Sequence, residues 1–469
     1  MFLALYLALV FPAMPAVGDA ADYAASIRHG DFGIRTIHIG YNLIVFPFVF
    51  VGGWFGQSTT AILNTLAVFC MAGAIAILHR FYISIGCERS ISALACIVFG
   101  TSGIIWYHAE FGEVQALLIL LIVTCLYWFV TGRSIVAGIL FGFTLLVSQA
   151  AAPTVVCFPL IAFWRRSWEA IIKFGLSSSL SFVLGVAPVA QDYFWGPRGV
   201  IPSMEYYPSG SLLITAAYFI YRLIESHTVW TVFLVIGMIV SYRQLPHIFV
   251  GVVALWGTHA WLNLRLSHVE YGFAWMPFFI LSSLVIAMGA TWAYDRHLVQ
   301  RKWTEVSLPL CVILGAALSC VLYVMPKRLD AISLQGIVRD VRAVIGNETL
   351  LATPHIGFVY VYETDHSAVD VWQSSWKPLP EDAASWDALM SDGRQVFLLL
   401  YKPQTHVFRR LIVDGPIGVL LLSEAKRDRY REEGAVVSKE EIRESLPNYL
   451  SISKIASWTK ADLFEIVTQ

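Results

Sequence analysis

Charged side chains are scarce in the first two thirds of this 469-residue chain. Met1–Met325 holds 28 Asp, Glu, Lys and Arg residues, whereas the shorter remainder, Pro326–Gln469, holds 37. Soluble domains carry about 25% charged residues, so the first part is too apolar for a water-exposed domain and the second is not. The net charge is −1 and no basic patch is present, so we expect no nucleic-acid partner.

Two further absences bear on function. The chain has no Gly-rich phosphate loop and no dinucleotide fingerprint, which disfavours a donor substrate that carries a nucleotide. The C-terminal part has no cysteine, so disulfides cannot report its compartment. All seven cysteines fall in the apolar part without metal-type spacing, a pattern typical of small buried hydrophobic residues.

Long apolar runs fill the first part instead. A helix needs about 20 apolar residues to cross a bilayer, and the runs predict about eleven spans of that kind. They are Phe2–Val17, Thr60–His79, Ile91–Trp106, Val114–Thr131, Ile135–Ala150, Thr154–Trp164, Ile171–Ala190, Val229–Ser241, His247–Leu262, Phe273–Ala293 and Ser307–Met325. Tyr41–Phe55, which is broken by Pro47, and Leu212–Ile224 are interpreted as interfacial segments.

The distribution of basic residues predicts the orientation. With the N-terminus inside, ten Lys and Arg residues fall in cytoplasmic loops and five in outer loops, as the positive-inside rule favours. Met1–Val17 lacks the basic start of a signal peptide and is interpreted as a span. We therefore predict a multi-pass protein of the plasma (inner) membrane, with the C-terminal domain on the extracytoplasmic side.

The C-terminal part, residues 326–469, shows the mixed periodicity of a small α/β domain. Apolar residues at helical spacing predict a helix over Leu329–Ile345. Short apolar runs between turn residues predict strands over Thr349–Thr353, Ala368–Trp372 and Val396–Tyr401. Further helices are predicted over Trp386–Met390, Val407–Val413 and Lys439–Glu444. The expected fold is thus a polytopic α-helical membrane domain, residues 1–325, followed by a soluble α/β domain.

Acidic residues stand at the ends of two predicted spans. Asp19 and Asp22 follow the first span, and Glu110 and Glu113 precede the fourth. Ionisable groups near membrane depth are costly and are candidates for function. We expect Glu113 at a helix N-terminus, where the helix dipole favours an anion. If that helix extends back far enough, Glu110 shares its face.

Basic residues follow a later predicted span, at Arg265 and His268. Cationic side chains of this kind can hold a phosphate. In the predicted orientation this cluster and both acidic clusters lie at the outer surface of the membrane. Their joint occurrence in a charge-poor domain favours a polar site over simple solvation of loop ends.

The order of these motifs resembles the GT-C glycosyltransferases, and within them the branch of protein O-mannosyltransferase-like membrane proteins. Gly18-Asp19 after the first span is similar to that branch, as is His38–Leu43, where Asn42 replaces the usual proline and His38 lies one residue nearer to the glycine. Trp106–Val114 is similar to a Trp-x-x-Ala…Glu-Val segment of the branch. His268–Pro277 resembles a late Arg-Tyr…Pro segment, although the expected late arginine is not clearly placed.

This resemblance implies transfer of a sugar from a polyprenyl-phosphate-linked donor to an acceptor hydroxyl at the outer face, with inversion. It implies that Asp19 is the general base and that Glu113, with Glu110 as its substitute, is the second acidic residue. The implied substrate-binding residues orient the acceptor or the base (Asp22, His38 and His108) or neutralise the leaving phosphate (Arg265 and His268). A protein, a lipid and a glycan all stay open as the acceptor, and a carboxylate pair can also bind a divalent cation.

Two other functions stay open from the sequence. A transporter or flippase predicts internal repeats and charged residues deep within spans, whereas most charges here lie at span ends. A non-catalytic subunit of a larger membrane assembly is compatible with the many aromatic residues, which also suit membrane interfaces.

Overall fold

The structure is a computed structural model that describes residues 23, 27, 38–110, 112–195, 212–266, 276–295, 301–344, 349–353, 371–373, 395–401, 450–458 and 461–468. Contacts divide the chain into two compact units. The larger includes Ser26–Met325 and the smaller includes Pro326–Gln469. The division falls where charged residues become frequent.

The larger unit is helical. Its α-helices are α1 Ile39–Trp54, α2 Thr59–Ser84, α3 Arg89–Gly100, α4 Gly103–Glu110, α5 Val114–Val130, α6 Ser134–Val147, α7 Cys157–Trp164, α8 Trp168–Val186, α9 Ala190–Trp195, α10 Leu212–His227, α11 Leu234–Gln244, α12 Pro246–Leu266, α13 Met276–Asp295 and α14 Arg301–Ser319. Tighter 3-10 turns occupy Gln149–Val156, Ala187–Val189 and Thr228–Phe233, and a π turn occupies Cys320–Val324.

Several helices of this unit suit a bilayer. Within the described ranges, four helical stretches are long and apolar enough to cross a membrane, and a fifth results if the bent pair α3–α4 counts as one span. Shorter apolar helices include α1, α5 and α6. The chain is thus a helical membrane protein, while the total of about eleven spans stays a prediction because Phe2–Val17 lies outside the described residues.

Two segments interpreted as interfacial form regular helices. Tyr41–Phe55 corresponds to α1, which contains Pro47 without ending there. Leu212–Ile224 falls within α10. The predicted single span Ile91–Trp106 is in fact two helices, α3 and α4, bent by 65°. Thr101, Ser102 and Gly103 lie at the bend, and residues of these types are poor helix formers.

Helix α2 provides a reference axis for the larger unit. The Ser92 hydroxyl hydrogen-bonds His79, and the Cys96 thiol lies 3.6 Å from the Ile75 carbonyl oxygen, so α3 runs back along α2. Asn64 near the start of α2 and Ser84 at its end are about 30 Å apart at 1.5 Å per residue. We call these the Asn64 end and the Ser84 end.

The smaller unit contains one helix and one sheet among its described residues. Helix α15 covers Met325–Val344, and the strands are β1 Thr349–Thr353, β2 Val371–Gln373, β3 Gln395–Tyr401, β4 Leu450–Trp458 and β5 Ala461–Thr468. Their order is β2-β1-β3-β5-β4. Strand β1 is parallel to β2 and β3, and β5 is antiparallel to β3 and β4.

The predicted elements of this unit match the structure in part. The strand at Thr349–Thr353 is confirmed as β1, and Val396–Tyr401 lies within β3. Helix α15 covers the helix predicted over Leu329–Ile345 except for its last residue. The β4–β5 hairpin was not predicted. Trp386–Met390, Val407–Val413 and Lys439–Glu444 lie outside the described residues, so the α/β class of this part stays a prediction.

Candidate functional site

Glu110 and Glu113 lie on either side of a break between two helices. Glu110 is the last residue of α4, and Glu113 is the N-cap residue of α5. The expectation that Glu113 stands at a helix N-terminus is therefore confirmed. The helix does not extend back to Glu110, so the two carboxylates do not share a helix face as the three-residue spacing suggested.

Glu113 pairs with a histidine instead of capping its own helix. Its Oε2 lies 2.9 Å from Nδ1 of His108, and the two side chains are 12% and 5% exposed. The carboxylate makes no hydrogen bond to the first turn of α5. The pair becomes an ion pair when the imidazole is protonated. The carboxylate is the more exposed partner.

Glu110 is fully buried. Its Oε1 accepts a hydrogen bond of 2.8 Å from Nε1 of Trp106, one helical turn earlier. A buried carboxylate is costly unless polar groups surround it, and bonds to ionised acceptors are about twice as strong as neutral ones. Trp106 thus fixes the position of Glu110, which makes Glu110 a positioning group more readily than a first contact for substrate.

Gly112 connects the break between α4 and α5 to helices α1 and α2. Its N–H donates to Asn64 Oδ1 at 2.7 Å, and its carbonyl accepts from the Tyr41 hydroxyl at 2.7 Å. A Cβ at this position would lie 2.4 Å from the Cβ of Leu63, so only glycine allows the approach to α2. These bonds set the position of the neighbouring Glu113.

The His38–Leu43 segment packs against the end of α6. His38 donates from Nδ1 to the Val147 carbonyl at 2.8 Å, and a Cβ on Gly40 would lie 2.8 Å from the Val147 nitrogen. Asn42 is fully buried, and its side-chain amide has no hydrogen-bond partner in the described part of the chain. The segment thus anchors the start of α1, and through Tyr41 it connects to Gly112.

A charged cluster on α10 was missed by sequence reasoning. Arg222 forms a salt bridge with Glu225, and both side chains are less than one-sixth exposed, at 12% and 14%. The Tyr221 hydroxyl donates to Glu225 at 2.9 Å. Ser226, one turn after Arg222 and therefore on the same flank of the helix, is hydrogen-bonded to Ser102 at the start of α4.

This cluster lies on the side of α10 that packs against α4, the helix that carries Glu110. The signal in the sequence was Tyr-Arg-x-x-Glu within an otherwise apolar segment, where charged residues are costly. Charged residues at a membrane interface do not incur this cost. Because Leu212–Ile224 was interpreted as interfacial, Arg222 and Glu225 were not predicted as site residues.

The side chains of the remaining predicted site residues are not described by the structure. Asp19, Asp22 and His268 lie outside the described residues. Arg265 falls in the last turn of α12, but its side chain is not described. Their approach to Glu113 therefore stays a prediction. Among the residues that were searched, no group of three or more His, Cys, Asp or Glu side chains is arranged to hold a metal ion.

Comparisons with known proteins identify the fold. No protein-family model matches the chain, and no curated protein matches it in sequence. The crystal structure of ArnT from Cupriavidus metallidurans in the apo state matches with a TM-score of 0.56 and 12% identity, over 99% of this chain and 97% of that one. The same protein bound to undecaprenyl phosphate gives 0.57 and 13%, with the same coverage. At such low identity the likeness shows a shared fold.

Proposed function

We propose that this chain is a GT-C glycosyltransferase that transfers a sugar from a polyprenyl-phosphate-linked donor to an acceptor hydroxyl. The observation that carries the proposal is the fold shared with ArnT over 99% of the chain. ArnT is a GT-C glycosyltransferase, and one of its structures contains undecaprenyl phosphate. The sequence motifs had indicated the same superfamily without reference to the fold.

The proposed reaction has three parts. Asp19 accepts the proton of the acceptor hydroxyl as its oxygen attacks the anomeric carbon. The bond between that carbon and the phosphate oxygen breaks, and the polyprenyl phosphate leaves with the electron pair. Arg265 and His268 stabilise the charge that develops on the phosphate, because fixed cations at a developing charge lower the barrier.

The described residues support a polar site at the Asn64 end for this reaction. Glu113 is held by His108, and its position is set by the hydrogen-bonded backbone of Gly112. Glu110 lies behind it, held by Trp106. Arg222 adds a cation on the neighbouring helix, and we assign it to the donor phosphate alongside Arg265 and His268.

The finer assignments rest on the motifs. Placement in the protein O-mannosyltransferase-like branch, inversion at the anomeric carbon and action at the outer face of the inner membrane come from the resemblance of the His38–Leu43 and Trp106–Val114 segments and from the distribution of basic residues. The extracytoplasmic position of residues 326–469 depends on the same count of spans.

The direct test replaces the two carboxylates that the proposal uses most. Asp19→Asn and Glu113→Gln keep shape and remove charge. We expect each to reduce sugar transfer by at least about 100-fold, the lower bound for a lost acid or base. Transfer is measured by mass spectrometry on membranes supplied with a panel of undecaprenyl-phosphate sugars.

Glu169→Gln is the matched control. This carboxylate is 77% exposed and pairs with Lys173 on α8, so its removal should leave transfer unchanged. Equal expression of all three variants is checked on the same membranes. Wild-type rates in both Asp19→Asn and Glu113→Gln would show that the site is wrongly assigned.

The same variants separate the alternative functions. Flipping a lipid across the membrane requires no general base, so a flippase should tolerate Asp19→Asn. A non-catalytic subunit should tolerate both substitutions. Broken spans such as α3–α4 occur in transporters too, which makes this comparison necessary.

A further inference from the structure

An apolar cavity lies at the Ser84 end of α2, far from Glu113. Its volume is about 50 Å³, several times the roughly 10–15 Å³ that one water molecule occupies on the same measure. Helices α2, α5, α7, α12 and α13 all contribute to its wall. It therefore belongs to the packing of the larger unit and is separate from the candidate site.

The wall of the cavity is poorly suited to bind a polar ligand. Phe81, Leu126 and Ile280 in its interior are almost fully buried. Thr154 already donates its hydroxyl to the Ala151 carbonyl at 2.6 Å, and His247 uses Nε2 on the Ile85 carbonyl at 3.0 Å. Because these polar groups are satisfied, the cavity favours hydrocarbon over water.

The mouth of the cavity is aromatic and basic. Trp164 is 38% exposed and stacks on His247 with ring centroids 4.2 Å apart. The guanidinium of Arg165 lies 5.5 Å from the Trp164 ring centroid and donates to the carbonyls of Ser84 and Val130. An apolar interior therefore opens directly beside a cation.

The charge around this mouth is positive on balance. Arg80, Arg89, Arg133 and Arg166 belong to the helix ends and turns at this end of the unit, together with the carboxylates of Glu88 and Glu169. A basic rim over an apolar cavity complements a molecule with an anionic head and a hydrocarbon tail. Basic pockets between transmembrane helices bind anionic lipid head groups for this reason.

We propose that this cavity is a binding site for an anionic phospholipid. Methylenes of one acyl chain enter between α7 and α12 and occupy the cavity, and the phosphate lies among the arginines at the mouth. The site is independent of the sugar-transfer proposal, because it uses none of the residues of the Asn64 end. Its expected role is to stabilise the larger unit in a membrane rich in anionic lipid.

The test uses the full-length protein in detergent and two lipids with identical chains. Native mass spectrometry measures binding of dioleoyl phosphatidylglycerol and dioleoyl phosphatidylcholine. We expect the anionic lipid to bind at least about fivefold more tightly, since each nearby cation contributes about 1 kcal/mol. Equal affinity for the two lipids would overturn the assignment of an anionic head group.

Two glycines of α12 provide a matched pair of variants. Gly251 lines the cavity, and a Cβ there meets only Leu281 at 3.6 Å, whereas a Cβ on Gly257 meets nothing within 4 Å. Gly251→Leu should fill the cavity and weaken phosphatidylglycerol binding about tenfold, the effect of excluding roughly two buried methylenes. Gly257→Leu should leave binding unchanged. Wild-type affinity in a folded Gly251→Leu protein would overturn the proposal.

A second measurement needs no variant. Phosphatidylglycerol with a photoreactive diazirine at the end of one chain should label the peptides that contain Leu160, Ile161 or Gly251. Labelling confined to other segments would overturn the site. Displacement of the label by equimolar undecaprenyl phosphate would show that the cavity holds an isoprenoid tail, and the phospholipid assignment would then be wrong even if the sugar-transfer proposal stands.

Discussion

The two ends of α2 differ in the charged side chains around them. Helices α2 and α5 pack against each other and run in the same direction, because both begin near Gly112 and both end near Arg165. Their dipoles therefore add, with partial positive charge at the Asn64 end and partial negative charge at the Ser84 end. Carboxylates gather at the first end and arginines at the second.

This difference supports the proposal that an anionic substrate group binds at the Asn64 end. The N-terminus of α5 stabilises negative charge on Glu113, its N-cap residue. At the Ser84 end the same dipoles are balanced internally, since Arg165 bridges the C-termini of both helices. One end is therefore suited to chemistry and the other to holding the helices together.

The largest expected effect comes from Gly112→Ala at the Asn64 end. The added Cβ would lie 2.4 Å from the Leu63 Cβ and 2.8 Å from its carbonyl carbon, so α2 and the break must separate. We expect a loss of about 2–4 kcal/mol of stability, as for strained or overpacked sites, together with loss of sugar transfer. Thermal unfolding in detergent and the transfer assay measure the two effects.

Gly53→Ala is the control for that substitution. Gly53 lies within α1, and a Cβ there meets nothing within 4 Å. Alanine in place of an exposed helical glycine should raise stability by about 0.5–1 kcal/mol. A Gly112→Ala protein as stable as the wild type would show that the approach to α2 is looser than described.

A smaller effect is expected from Arg165→Gln at the Ser84 end. The substitution removes charged hydrogen bonds to the carbonyls of Ser84 and Val130, each worth about 1.5–3 kcal/mol at most. Partial exposure reduces this, so we expect a loss of about 1–2 kcal/mol in total. Sugar transfer per folded molecule should be unchanged, because Arg165 lies about 30 Å from the Asn64 end.

The distinction between the Asn64 end and the Ser84 end depends on unchanged sugar transfer in Arg165→Gln. If Arg165→Gln lowers transfer as much as Gly112→Ala does, at equal amounts of folded protein, then the two ends are coupled and the separation into a chemical and a structural end is wrong. Arg165→Lys keeps the charge and should recover part of the lost stability.

A small effect, opposite in sign to that of Arg165→Gln, is expected from Asn42→Leu. The Asn42 amide is fully buried and has no hydrogen-bond partner among the described residues. Replacing an unsatisfied buried polar group with an apolar one of similar volume should raise stability by about 1 kcal/mol. A stabilised variant that loses affinity for undecaprenyl phosphate would place Asn42 in the binding of the donor.

Local spacing accounts for the part of the candidate site that the sequence could predict. Trp106 and Glu110 are one helical turn apart, and His108 and Glu113 lie five residues apart across the break between α4 and α5, so both pairs are close in sequence. The bonds from Gly112 to Asn64 and Tyr41 join residues 48 and 71 positions apart. Such contacts depend on how the helices pack, which no single-sequence pattern specifies.

The hairpin β4–β5 shows a different limit. Leu450-Ser451-Ile452-Ser453 alternates apolar and polar residues, the pattern of a strand with one buried face. The alternation ends after Ser453, and the register of β4 shifts between Lys454 and Ala456, so only part of the strand carries the pattern. Long helices were predicted more reliably than their breaks, because apolar composition persists through Thr101 and Ser102.

The 65° bend between α3 and α4 isolates the acidic residues from changes elsewhere in the span. Inserting one residue in a continuous helix rotates everything beyond it by about 100°, which would turn Glu110 away from its partners. Here α4 is held at its start by the Ser102–Ser226 hydrogen bond and beyond its end by Gly112. The orientation of Glu110 and Glu113 is therefore set by the contacts of α4 and Gly112 and not by the helical phase of α3.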